Sequence, residues 1–358
     1  MTDRRILLPQ LKETIDRKRL RGILGDELAG FADMIPDMMA MELLRDDRGF
    51  IAVNQLSKSL LDRLTPEMRG WTTPDVLRTI YPETRFSKTR MQPIAGALAA
   101  VSCRAFPSTS YYPYVPVEHM AQARSQAPLI IAVHGSSRNP KDLRDAYAGF
   151  AEEHGCFVLA PLFPLDLDTV VPDEEYKQLI GDTLRYDHVL WAMVDELSAA
   201  TQTQFTSIFL FGFSGGAQFA QRLLYLDASR ITAVSLGAPS YVTLPDPQHD
   251  WWTGMGDFEA RFGQPADMEA LRRLPIQLLC GAEDNLDFEI YSAAEMGMDE
   301  RAYAAYGRNR QQRIMKLRDA YAHIGVDCDF ALVPSAAHSF GPLLEASKPF
   351  FRQHLATR

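Results

Sequence analysis

The apolar positions of this chain follow two rhythms, and the change between them falls near residue 100. Before it, apolar residues recur at spacings of three and four, as in Asp37–Leu44 (DMMAMELL) and Leu56–Leu64 (LSKSLLDRL). That spacing puts one apolar stripe on a helix. Pro36, Pro66, Pro74 and Pro82 punctuate the stretch, and Thr65-Pro66 and Thr73-Pro74 read as helix starts, with a threonine cap and proline at the first helical position. Residues 46–55 (DDRGFIAVNQ) offer a short hairpin as an alternative. Residues 1–95 are thus predicted as a mostly helical segment.

From about Ser110 onward, short apolar runs alternate with helical patterns. The runs are Leu129–Val133, Phe157–Phe163, Ser207–Phe213, Ile231–Leu236, Ile276–Cys280 and Asp329–Val333. Leu129–Val133 (LIIAV) has no polar alternation, as expected of a strand buried on both faces. Between the runs, Tyr186, Leu190, Met193 and Leu197 share one helical stripe, and Phe219, Leu223 and Leu226 share another. Strand–helix alternation predicts an α/β fold with a doubly wound, mostly parallel sheet over residues 96–358. Residues 240–272 and 285–325 exceed what single crossovers need and are predicted as cap-forming insertions. No internal repeat interrupts the pattern.

Composition narrows the classes. A length of 358 residues accommodates one α/β core plus an extra segment, and 46% apolar residues suffice for a substantial interior. The formal charge of −9 argues against a nucleic-acid partner, whose phosphates favour a concentrated basic face. The apolar run Ile6–Leu8 is too short for a signal-peptide core, and no stretch approaches the roughly 18 apolar residues of a membrane span. A cytoplasmic protein with no membrane partner is expected. Cys103, Cys156, Cys280 and Cys328 are widely spaced, form no C-x-x-C pair and lack zinc-ligand spacing. They are expected to be reduced and structural, with no metal and no organic cofactor required.

The candidate chemistry begins at Gly212-Phe213-Ser214-Gly215-Gly216, directly after the apolar run Ile208–Phe211 and directly before a helical pattern. A serine hydroxyl is a poor nucleophile unless exposed to a base and held rigidly. A sharp strand-to-helix turn does this, and its crowding demands glycine two positions to either side of the serine. His134-Gly135-Ser136-Ser137 closes the strand Leu129–Val133. A tetrahedral oxyanion needs two fixed backbone N–H donors; Gly215, after the nucleophile, and Ser136, in this loop, are the candidates. His134 is expected to shape the loop and border the substrate rather than move protons. His338 alone among eight histidines combines a strand C-terminal end, a position after the nucleophile and a closing helix. Histidine titrates near neutrality, as a base for serine requires. The acid that orients it should follow Ile276–Cys280, where Asp284 is preferred over Asp287 and Glu283.

The order Ser214, Asp284, His338 on successive strand ends, with the upstream HG loop, resembles the α/β-hydrolase superfamily over roughly residues 110–358. That resemblance implies a sheet of about eight strands, Ser214 as nucleophile, His338 as base, Asp284 as orienting acid, and Ser136 and Gly215 as oxyanion donors. The GFSGG and HGSS motifs look like those of bacterial esterases and polyhydroxyalkanoate depolymerases. The expected activity is hydrolysis of a carboxylic ester of a small or apolar molecule through an acyl-enzyme. Two alternatives stay open: a carbon–carbon bond hydrolase acting on a β-diketone-like compound, and a non-catalytic ligand receptor of the same fold.

Around the site, Trp251, Trp252 and Met255 of the first insertion either clamp an apolar acyl group or pack a cap onto the core. Arg301, Arg308, Arg310, Arg313, Lys316 and Arg318 of the second are expected to form a solvated helix face, with an entrance for an anionic substrate as the alternative. Met34, Met38, Met39 and Met41 are expected in ordinary packing, or as a homodimer surface on the N-terminal segment.

Overall fold

Five consecutive residues without a polar side chain, Leu129–Val133, have every side chain fully buried. They form the middle of the central sheet in a computed structural model that describes residues 51–52, 86–87, 95–117, 119, 125–164, 175–181, 184–288 and 290–355. The chain divides into two units, residues 1–98 with 115–124, and residues 99–114 with 125–358. In the first unit Ile51–Ala52 pairs in parallel with Phe86–Ser87. The helical patterns at 37–44 and 56–64 and the methionines at 34–41 lie outside the described residues.

The larger unit carries strands β1 (Val101–Ser102), β2 (Ser110–Val115), β3 (Gln126–Val133), β4 (Phe157–Leu162), β5 (Gln204–Phe213), β6 (Ala233–Gly237), β7 (Ile276–Gly281) and β8 (Cys328–Val333). Their order across the sheet is β8-β7-β6-β5-β3-β4-β2-β1. The pairs from β8 to β4 are parallel, whereas β2 runs antiparallel to β4 and β1 antiparallel to β2. Strand β2 (SYYPYV) does not stand out in the sequence because Pro113 interrupts it; proline is tolerated near a sheet edge, where β2 lies. Chain direction across the sheet reverses between β3 and β5. That reversal opens a crevice at their carboxyl ends, the place where α/β sheets receive ligands.

The connecting helices are α1 (Pro140–His154), α2 (Tyr186–Thr201), α3 (Gly215–Asp227) and α8 (Phe340–Leu355). Helix α1 starts on Pro140 and stops at Gly155, whose left-handed backbone (φ 66°, ψ 26°) ends the helix without a Cβ penalty. Helix α3 is buried from Gly215 through Leu226, while α8 buries Leu343, Leu344, Phe350 and Phe351. The two predicted insertions contain short helices: α4 (Phe258–Phe262) and α5 (Met268–Arg273) in the first, α6 (Glu300–Tyr306) and α7 (Arg310–His323) in the second. Side-chain caps start three of them. Asp267, Asp299 and Asn309 accept from the N–H groups of Ala270, Ala302 and Gln312. Among the described residues no helix is long and apolar enough to cross a membrane.

Candidate active site

Ser214 stands between β5 and α3 with φ 53° and ψ −113°, a conformation that costs a non-glycine residue about 1–3 kcal/mol. The surrounding backbone enforces it. The Ser214 N–H donates to the Gly237 carbonyl at 2.8 Å, extending the β5–β6 ladder past the turn. A Cβ on Gly216 would lie 2.1 Å from the Val133 carbonyl oxygen, and one on Gly212 would lie 2.2 Å from that of Gly216. Only glycine at both positions lets β5, the start of α3 and the end of β3 approach this closely. The serine side chain therefore leaves the turn on the crevice side, with the residue 8% exposed.

Two further loops at the same sheet edge meet it. His338 Nε2 lies 3.1 Å from Ser214 Oγ, and His338 Nδ1 lies 2.7 Å from Asp284 Oδ2. With Asp284 ionised, Nδ1 carries the proton and donates, which leaves Nε2 free to accept from the serine hydroxyl. The acid and histidine loops are tied together by main chain: Ala282 N–H donates to Val333 O, and Glu283 N–H donates to Ala336 O, each at 2.9 Å. The Phe213 ring lies against the imidazole, centroids 4.8 Å apart.

Asp284 is buried, at 5% exposure. Burial alone would raise its carboxyl; the hydrogen bond and charge of His338, together with Arg310, outweigh that and hold it below the usual carboxylate range. Arg310 Nη1 donates to Oδ1 at 2.9 Å. Asp287 is instead an exposed partner of Arg308 and accepts from Asn309 Nδ2, and Glu283 is exposed. Neither approaches the histidine as Asp284 does.

The loop after β3 passes directly beside the serine. A Cβ on Gly135 would meet Ser214 Cβ at 3.2 Å. Ser136 is exposed, and its carbonyl accepts from Arg138 Nη1, whose Nε donates to the Phe163 carbonyl. Gly215 opens α3, so its N–H belongs to the first turn, where backbone donors point out of the helix. Tyr176 and Lys177 crowd its Cα.

His134 is placed among main-chain groups at the end of β3. It is fully buried; Nδ1 contacts the Gly135 carbonyl at 2.7 Å and Nε2 accepts from the Phe163 N–H at 3.1 Å. Both ring nitrogens are thus engaged by main chain of the HGSS loop and of the residue after β4. The Trp251 indole is buried against Phe258 and Phe262, and its Nε1 donates to the Gln178 carbonyl. Trp252 is half-buried, packed against Tyr241 and Tyr291 with the Arg222 guanidinium over its ring. The arginine-rich stretch is not a uniformly solvated face. Arg301 and Arg308 are exposed, but Arg313 is 1% exposed and donates to the carbonyls of Gly307, Ser240 and Phe288. A run of cations reads as a solvated face in sequence, and only the path of the insertion reveals which of them turn inward.

Cys103, Cys156 and Cys280 are buried free thiols, and burial pushes Cys156 and Cys280 up to about 12. Among the described residues no group of three or more His, Cys, Asp or Glu side chains is placed to hold a metal ion.

No family model matches the chain. A curated relative, Esterase FrsA of Salmonella paratyphi B, is 29% identical over 131 residues, covering 36% of this chain and 30% of that one. The match thus spans less than a third of the relative's length. Among solved structures, the poly(3-hydroxybutyrate) depolymerase LpqC of Bordetella parapertussis superposes with TM-score 0.55 at 20% identity, covering 72% of this chain and 91% of that chain. The poly(aspartic acid) hydrolase-1 of Sphingomonas sp. KT-1 superposes with TM-score 0.57 at 19% identity, covering 71% and 98%. Together with the strand order and crossovers of the sheet, these likenesses show that the chain has the α/β-hydrolase fold.

Proposed function

We propose that the protein is a serine hydrolase that cleaves a carboxylic ester of a small or apolar molecule, with Ser214 as nucleophile. The observation that carries the proposal is the continuous array of Ser214 Oγ, His338 and Asp284, with contacts of 3.1 and 2.7 Å, built on a strained serine turn. A buried carboxylate, an imidazole and a serine in one line have a direct chemical use. The name of the sequence relative, an esterase, favours an ester over an amide.

In this reading Ser214 Oγ attacks the ester carbonyl carbon as its proton passes to His338 Nε2. The carbonyl π bond breaks, and the resulting oxyanion is held by the N–H groups of Ser136 and Gly215. Asp284 keeps Nδ1 protonated and stabilises the imidazolium. Collapse of the tetrahedral species breaks the carbon–oxygen bond, and the leaving alkoxide takes the proton from Nε2 to depart as an alcohol. Water then attacks the acyl-serine, giving its proton to Nε2, and the second collapse returns that proton to Ser214 and releases the carboxylic acid.

Reaction of the purified protein with a fluorophosphonate, followed by peptide mapping, tests this without knowledge of the substrate. Labelling confined to Ser214 and absent in S214A is expected. A folded protein that takes no label overturns the proposal and moves a ligand-receptor role ahead of catalysis.

A further inference from the structure

The acid loop is gripped from two sides, and the second side is one that no strand end supplies. Besides the histidine loop, the first turn of α7 closes on residues 281–287. Asn309 Nδ2 donates to the Asn285 carbonyl at 3.2 Å and to Asp287 Oδ1 at 3.1 Å. Gln311 Nε2 donates to the carbonyls of Gly281 and Ala282 at 2.8 and 3.0 Å. Between them Arg310 reaches Asp284 itself at 2.9 Å. Three consecutive side chains of one helix start thus fix the loop's main chain and its carboxylate together.

Arg310 is also in the wrong place by local rules. It is the first residue of α7, where the helix dipole disfavours a cation. Its placement makes sense only through what the guanidinium meets. Nη1 takes Asp284 Oδ1, Nε donates to Ser240 Oγ at 3.2 Å, and the Phe288 ring lies beneath at 4.2 Å. The arginine is therefore anchored on both sides of its ion pair, and a violated local preference of this kind marks a functional position.

We infer that Arg310 is a positioning residue for the Asp284–His338 pair, holding one carboxylate oxygen so that the other faces the imidazole. The inference rests on the reading of Ser214 as nucleophile and adds a residue to it. Asp284 has two oxygens and a rotatable carboxyl; with Oδ1 fixed by a charged donor, Oδ2 has one direction left, toward His338 Nδ1. Arg310 also opposes protonation of the pair. The groups that face Asp284 are Cys280 Sγ from β7 at 4.0 Å, His338 from the loop after β8, and Arg310 from α7. The Cys280 thiol is neutral across the working range, which leaves Arg310 as the cation that, beside His338, holds Asp284 below the usual carboxylate range.

The test is the second-order rate of fluorophosphonate labelling at Ser214, measured from about pH 5 to 9 for the full chain, R310M, R310K and S240A, with a thermal melt of each. R310M is expected to label about tenfold to hundredfold more slowly at neutral pH, the loss of one charge-assisted hydrogen bond to a buried carboxylate. Its acid limb should move to higher pH. R310K retains the charge but not the fork, so the limb should stay near that of the unaltered protein while the rate falls less than in R310M. S240A, which removes only the Nε anchor, should show a smaller loss of the same sign. R310M labelling with unchanged rate and limb overturns the inference. So does a slower rate with an unmoved limb and a lowered melting temperature, which would make Arg310 a merely structural contact. If R310M does not fold, R310K and S240A carry the test, and full rates in both overturn the inference. Absence of labelling in the unaltered protein overturns the hydrolase reading, and this inference falls with it.

Discussion

Asp284 and Asp287 stand three residues apart on one loop, and their surroundings give them different chemistry. Asp284 is 5% exposed, with one oxygen on His338 and the other on Arg310. Asp287 is exposed and meets Arg308 at 3.6 Å. Hydrolysis of p-nitrophenyl acetate separates them. D284N should lower kcat by about a thousandfold or more, because an amide cannot hold the imidazole in the same tautomer or stabilise its charge. D287A should stay within about threefold of the unaltered protein, since exposed ion pairs contribute little. Full activity in D284N with a large loss in D287A would reverse the assignment. The sequence makes Ser214, Asp284 and His338 visible because each follows an apolar run that becomes a strand, and a strand end fixes where the next residue points. It does not make Arg310 visible. That residue's partner lies 26 positions away across an irregular insertion, so no spacing rule links them. For the same reason Arg313, sealed among four carbonyls, looks in sequence like its exposed neighbours Arg308 and Arg301.

At the scale of elements, the site depends on how closely β3, β5 and α3 converge. The Gly216 Cα sits so near the end of β3 that a methyl there would fall 2.1 Å from the Val133 oxygen and 2.6 Å from that of His134. Both obstacles are main chain of the central strand's end, which cannot rotate away as a side chain would. G216A is therefore expected to lose about 3 kcal/mol or more in urea unfolding, or to fail to fold. Gly149 gives the contrasting case. It lies on the exposed side of α1 in the middle of the helix, and a methyl added there would meet nothing within 4 Å. G149A should gain about 0.5–1 kcal/mol from helix propensity. A stabilised G216A, or a G149A as damaging as G216A, would contradict this packing. The GFSGG motif announces the first glycine's constraint because the turn type is legible from strand and helix flanks. The HGSS loop is only half legible. Its glycine marks close approach to Ser214, but the role of His134 is set by Phe163, a residue from the end of a different strand.

For the whole molecule, strand–helix alternation identified the fold class, because a buried parallel strand needs an unbroken apolar run and its crossover needs a helix. The unit division was less legible. Val115, the last residue of β2, is grouped with the first unit, a matter of contacts that patterning does not encode. The charge balance adds an acid-side prediction that spans the larger unit. Asp246, Asp257 and Asp284 are all held below the usual carboxylate range. In each, burial works the other way and is outweighed: by the Gln248 N–H and His249 at Asp246, by the Trp251 N–H and Arg261 at Asp257, and by His338 and Arg310 at Asp284. A carboxyl lowered in the folded state contributes stability that is fully present above its unfolded value of about 3.9 and is lost as pH falls through the lower folded value. Asp227 has the opposite sign. Burial raises it, outweighing the Trp191 N–H donor and Arg230, so its cost appears as pH rises above about 4. Urea unfolding at pH 3, 4, 5 and 7 for the unaltered protein, D257N and D227N resolves the two. The stability difference between the unaltered protein and D257N should favour aspartate at pH 5 and 7 and shrink below pH 4, as Asp257 takes up a proton first in the unfolded and then in the folded state. The difference from D227N should move against aspartate as pH rises from 4 to 7. Slopes of the same sign for the two variants would mean that the Trp251 N–H and Arg261 do not hold Asp257 ionised, or that Asp227 is better solvated than its burial implies.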